Sequence, residues 1–238
     1  MPENRDTVNE PEFGTSREEI LFHLRWSWTT TLIAVYVGVL LAEQLTAHFF
    51  PGRNFLFQYL ALSREGIAHG YLWQFLTYQF MHGGWIHLLF NSWVIYVFGT
   101  ALEQLLGGPR YLALMFASGI MGGVFQIFTA LVWPALFDGS VVGASACVFG
   151  AVAAFAMIYP EEELKVLVLL VIPLRLRART LLMLSIVIAL MGIIFPWDAL
   201  AAGPHVANAA HLGGMAMGWF YVKKIMKNPA PPLAVWPV

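Results

Sequence analysis

Apolar residues run in long blocks along this chain rather than alternating with polar ones. Six stretches are apolar nearly throughout: about Trp28–Phe50, Gly84–Leu106, Tyr111–Val132, Gly143–Tyr159, Thr180–Pro196 and His205–Ile225. A helix needs roughly 20 such residues to cross the hydrocarbon core of a bilayer. A helix also satisfies its own backbone groups, which lipid requires. The pattern predicts an all-α fold, a polytopic bundle of six transmembrane helices. Turn-forming residues mark the breaks, Gly107-Gly108-Pro109 after the second stretch and Pro134, Asp138 and Gly139 after the third. The loop Pro51–Leu72 carries Arg53, Arg64, His69 and several aromatics, a composition suited to the membrane interface. Pro160–Arg179 has an apolar core, Leu164–Leu174, only about half the length of a span, and is expected to be an interfacial segment.

Outside the blocks the chain is polar. Residues 1–26 are expected to form a partly disordered segment with a short surface helix, started by the capping box Ser16-Arg17-Glu18-Glu19. Residues 27–228 form the membrane domain, and 229–238 a flexible Pro-rich tail. Met1–Glu19 is polar and acidic, so it reads neither as a signal peptide nor as an Arg-rich transit peptide. Eleven of the 13 Lys and Arg fall in the N-terminal segment, the second and fourth connectors and the tail. Only Arg53 and Arg64 fall on the other side, so the positive-inside rule places both termini in the cytoplasm.

Composition agrees: 59% of the residues are hydrophobic and 11% charged, where soluble domains carry about 25% charge. A net charge of -1 gives no sign of nucleic acid. The single Cys excludes an internal disulfide and a Cys-based zinc site. No metal or cofactor is expected.

With this topology the second, fourth and sixth spans run from outside to inside. His87 and Asn91 then lie in the first two turns of span two, Ser145 in the first turn of span four and His211 in the second turn of span six. At a rise of about 1.5 Å per residue they share one layer in the outer part of the bilayer. Polar groups in lipid are costly and face a bundle interior or a water-filled cavity. A serine hydroxyl needs an adjacent base to become a nucleophile, and His211 is the candidate. His87 and Asn91, four apart on one helix face, are of the right type to donate to an oxyanion. Gly214 and Gly218 have the small-xxx-small spacing that brings span six against span four. No carboxylate is expected in the layer: Asp138 and Asp198 fall in loops, and Glu103 near the inner end of span two. The site reads as a Ser–His dyad.

These residues resemble the rhomboid intramembrane serine proteases: His82-x4-His87-x3-Asn91, then Gly-Ala-Ser145, then Ala-His211-x2-Gly214, on successive even-numbered spans. The likeness extends over roughly Phe50 to Tyr221 and includes Trp73, Glu103 and Gly107. It implies that Ser145 is the nucleophile and His211 the base, with His87, Asn91 and the Ser145 amide holding the oxyanion. It implies transmembrane-helix substrates cut near the outer face, with small residues at the scissile bond, and a bacterial inner-membrane location. Two positions depart from the family pattern. Ala146 stands where Gly is usual, its extra methyl able to crowd the scissile carbonyl, and Gln74 follows Trp73 where Arg is common.

Plainer readings stand beside these. Ser145 is also a fair packing hydroxyl and His211 a fair buried core histidine. His82 supports a loop and a water, or sits at the interface with His23, His48, His69 and His205. Cys147 reads as a small core residue, and Glu103 as a hydrogen-bond partner for a loop backbone. Competing functions are a non-proteolytic rhomboid-like protein binding transmembrane clients, a haem or metal protein using His82, His87 and His211, and a transporter. No HExxH motif supports a zinc protease, and no mid-span charge marks an ion path.

Overall fold

A computed structural model describes residues 27–168, 172–195 and 207–225. The expected surface helix, the Pro-rich tail and the loop Trp197–Pro204 lie outside the described residues, as do His23, Asp198 and His205. The fold is mostly helical. Its long helices are α1 (Trp28–Phe49), α5 (Trp85–Leu106), α6 (Gly108–Val132), α8 (Ser145–Ile158), α9 (Ala178–Ile194) and α10 (Asn208–Ile225). Short helices α2 (Phe55–Leu60), α3 (Arg64–Ala68) and α4 (Gln74–Thr77) build the first loop, and α7 (Pro134–Phe137) follows α6. Each long helix falls on one of the six apolar blocks. Length and hydropathy alone qualify three of them, α1, α5 and α6, to cross a membrane. The helix α8 has 14 residues, about 21 Å at the α-helical rise. It is apolar all round because neighbours cover it all round: Ala146–Val148 and Gly150–Ala156 are buried.

Two expectations need correction. Leu164–Leu174 is not a simple interfacial segment but most of an antiparallel hairpin, β1 (Glu163–Val168) paired with β2 (Ile172–Arg177), with Lys165 opposite Arg175. Charges at alternate positions, Glu163 and Lys165 in β1 and Arg175 and Arg177 in β2, carry the period-two signal. Ion pairs from Glu161 to Arg177 and Arg179 fasten the base of the hairpin. The other correction is Gly108-Pro109, which opens α6 rather than only ending α5. Proline in the first turn gives up an amide that has no helical partner there.

Glycine sets the register of the central helices. A Cβ on Gly214 would lie 2.1 Å from the Ala146 carbonyl oxygen, and one on Gly218 2.1 Å from that of Gly150. So α10 lies backbone to backbone along α8, and both pairs advance by four, which makes the two helices parallel. His211, one turn before Gly214, is thereby level with the start of α8. Gly122 of α6 meets Ala146 and the Ala210 carbonyl in the same way. A core including Tyr36, Ile95, Leu102, Tyr111 and Phe155 fills the space towards α1 and α5.

The first loop is tied down rather than free. The Leu62 and Val141 main chains pair with each other, and Trp73 Nε1 donates to the Tyr59 carbonyl at 2.8 Å. Gln74, fully buried, accepts from Ser63 N through Oε1 and donates from Nε2 to the Gln58 and Tyr59 carbonyls. The Arg64 guanidinium chelates Asp138, which joins the loop to the α7–α8 connector. Their hydrogen bond holds the Asp138 carboxyl below the usual carboxylate range. Glu103 accepts from Trp28 N at 2.8 Å and from Thr29 N and Oγ1 at 2.9 and 2.7 Å. Its partner is therefore the first turn of α1, not a loop backbone.

Candidate active site

Ser145 is the first residue of α8, and no side chain caps that end: Ala144 precedes it with φ −75° and ψ 4°. The first main-chain bond of the helix runs from Val148 N to Ala144 O. The N–H groups of Ser145, Ala146 and Cys147 therefore have no helical acceptor, the standard condition of a helix start and one that favours negative charge. From the parallel helix, His211 Nε2 lies 3.0 Å from Ser145 Oγ. The His211 ring rests on Phe149, centroids 4.3 Å apart, which fixes the imidazole plane. Both Ser145 and His211 are half-buried, in contrast to the closed interior of α8.

His87 and Asn91 converge on the residue two before the serine. Gly143 has φ +123°, in the region that favours glycine, and its amide donates to the Tyr78 carbonyl at 2.9 Å. A Cβ there would lie 2.8 Å from His87 Nε2 and 3.7 Å from Asn91 Nδ2. The glycine thus lets both side chains reach the Ser145 approach. Gly83 N donates to His87 Nδ1 at 3.4 Å. With Nδ1 accepting, the proton sits on Nε2, the nitrogen that faces Gly143. Asn91 Nδ2 is buried and has no hydrogen-bond partner among the described residues. Two N–H donors are therefore aimed at the approach to the serine.

His82 is buried, and its ring packs edge-on to His87 at 5.3 Å. Cys147 is buried with its thiol towards Gln79 Oε1, away from Ser145. His48 and His69 lie apart from the cluster: His48 contacts Phe49, and His69 the Glu65 carbonyl and Tyr71. No group of three or more His, Cys, Asp or Glu suited to a metal occurs among the described residues. Gly143 and Glu43 join the site without a role expected for either from the sequence, whereas Gln74 stands out there as a departure after Trp73. Glu43 had a signal, as the sole acid in the apolar sequence of α1.

Comparison with known families matches residues 69–228, more than half of the chain, to the rhomboid domain. The chain belongs to the rhomboid family. It is therefore an integral membrane protein. It is 37% identical over 99 residues, 41% of its length, to Bacillus subtilis (strain 168) YdcA, described as a candidate rhomboid protease. It is 29% identical over 154 residues, 65% of its length, to the rhomboid protease GluP of the same organism. Over 179 residues, 74% of its length, it is 26% identical to the mitochondrial rhomboid protein 1 of Saccharomyces cerevisiae (strain ATCC 204508 / S288c). The matches cover 47%, 26% and 49% of those relatives, so the chain spans about half their length or less.

Proposed function

We propose that this protein is an intramembrane serine endopeptidase that cuts transmembrane helices near the outer membrane face. The observation that carries the reading is the 3.0 Å separation of His211 Nε2 and Ser145 Oγ across two parallel helices. Family membership and the rhomboid protease GluP among the relatives support it. Six spans with both termini in the cytoplasm of a bacterial cell fit the charge distribution. The partners are transmembrane protein substrates and the bilayer.

The chemistry follows from the groups present. Ser145 Oγ attacks the scissile carbonyl carbon while His211 Nε2 takes its proton. The oxygen gains a negative charge and accepts from His87 Nε2–H, Asn91 Nδ2–H and the Ser145 amide. The C–N bond breaks, the leaving amine takes the proton from His211, and an acyl-serine remains. Water, deprotonated by His211, releases the new carboxylate and restores the hydroxyl. A protonated His211 accepts no proton, so activity falls on acidification.

The test is reconstituted protein with a transmembrane substrate. Ser145→Ala, His211→Ala and the double variant should be equally inactive, since the pair acts as one unit. Asn91→Ala should cut turnover about a hundred- to a thousandfold, and Asp138→Asn should leave most activity. Full cleavage by Ser145→Ala ends the serine-protease reading. Native protein inactive on several substrates favours a non-proteolytic binder of transmembrane clients.

A further inference from the structure

Behind the His87 arm is a cavity of about 300 Å³ between the outer part of α1, the first loop and the turn before α5. Glu43, Arg53, His82, Gly83 and Gly84 are among its lining residues. Glu43 continues the buried stripe of α1, Leu32, Tyr36 and Leu40, at helical spacing, so it faces protein and not lipid. An acid in a membrane helix is costly and marks a site by default. No ion pair joins it to Arg53 among the described residues. The His82 main-chain N–H is directed at its carboxyl group.

Two buried side-chain atoms of these lining residues have no hydrogen-bond partner among the described residues: Glu43 Oε1 and His82 Nε2. The state of His82 follows from its other nitrogen. Nδ1 lies 3.3 Å from the Phe80 carbonyl, which only accepts, so Nδ1 carries the proton and Nε2 is an acceptor. The turn held at His82 then reaches the oxyanion arm twice, through the His82–His87 ring contact and the Gly83 N–H bond to His87 Nδ1.

We propose that Glu43 is a positioning residue: its carboxyl group, facing the His82 main-chain N–H, fixes the His82–Gly84 turn, and so holds His87 in the tautomer and orientation that aim Nε2–H at the oxyanion. The role rests on the protease reading for its effect on turnover, though not for its effect on the His87 ring. No carboxylate was expected near the site from sequence; this one acts behind the oxyanion arm, and the dyad itself stays without an acid.

Three variants separate this from plain packing. Glu43→Leu removes the acceptors, Glu43→Asp withdraws the carboxyl by one methylene, and Glu43→Gln keeps Oε1. Nitrogen-15 NMR of histidine-labelled protein, with His87→Asn identifying the signals, reads the ring directly. Native protein should show His87 as the single Nε2–H tautomer. Glu43→Leu and Glu43→Asp should show a mixture and lose about ten- to a hundredfold in kcat, as for a misplaced group, with KM little changed. Glu43→Gln should stay near native in both. An unchanged His87 tautomer in Glu43→Leu and Glu43→Asp overturns the proposal, as does Glu43→Gln impaired as much as Glu43→Leu. If Glu43→Leu does not fold, Glu43→Asp against Glu43→Gln decides by the same criteria. If the native protein cleaves nothing, the protease reading fails, while the tautomer still decides the role of Glu43.

Discussion

Ala146 follows the serine where the family resemblance leads one to expect glycine, yet its methyl group does not face the nucleophile. It packs on Gly122 of α6, where an added Cβ would lie only 2.5 Å from it and 2.7 Å from the Ala210 carbonyl oxygen. The expectation that it crowds the scissile carbonyl therefore has no support in the packing. Gly122→Ala should destabilise by about 1–3 kcal/mol, as overpacking does, measured by thermal unfolding in detergent. Adding Ala146→Gly should recover part of the loss, because it removes the shortest of the contacts while those to the Ala210 carbonyl and the Tyr78 hydroxyl remain. Ala146→Gly alone should keep near-native turnover; a large gain in turnover would mean that the methyl does obstruct substrate. The same contrast explains what was legible. Ser145, His211, His87 and Asn91 could be gathered from sequence because each lies at a countable distance from the start of an apolar block. Gly122 and Gln74 act on residues of other elements, and no spacing within one element reveals that.

Among the six long helices, α9 buries the fewest residues, with α1 next. Of its 17 residues only Ala178, Ala189 and Gly192 are buried, while Met183, Leu184, Val187, Ile188, Leu190, Met191 and Ile194 are exposed. In its C-terminal half, Gly192 receives the Asn208 side chain, and Ala189 packs with Ala153 and Met215. Elements with few buried contacts open most readily, so α9 is the helix to yield when a transmembrane substrate enters. In a Cys147→Ala background, a disulfide between the outer halves of α5 and α9 should stop cleavage of such a substrate, and reduction should restore it. Cleavage at the native rate by the cross-linked protein would mean entry elsewhere. The helices were legible as blocks because lipid forbids polar interruptions. The hairpin was not, because eleven apolar-looking residues were weighed by length and their alternation was not read.

Across the whole molecule, the distribution of cations predicts that a reporter fused after Val238 faces the cytoplasm; an extracytoplasmic reporter would move the four polar residues to the cytoplasmic side. Their common depth was legible from topology, but the contact that frames it was not, since Glu103 and Thr29 stand 74 residues apart. Ser27 serves the Thr30 amide, its carbonyl serves Thr31, and the two amides before them belong to Glu103. The first turn of α1 is thus completed by a side chain from the inner end of α5. These two helices form a stator: neither can tilt or slide without baring the main-chain donors at the start of α1. On the proposed protease reading, a substrate arriving at the edge of α5 would meet a helix pinned to α1, and the more lightly packed α9 would give way instead, so that the helix carrying the proposed oxyanion donors would stay in place while the site fills.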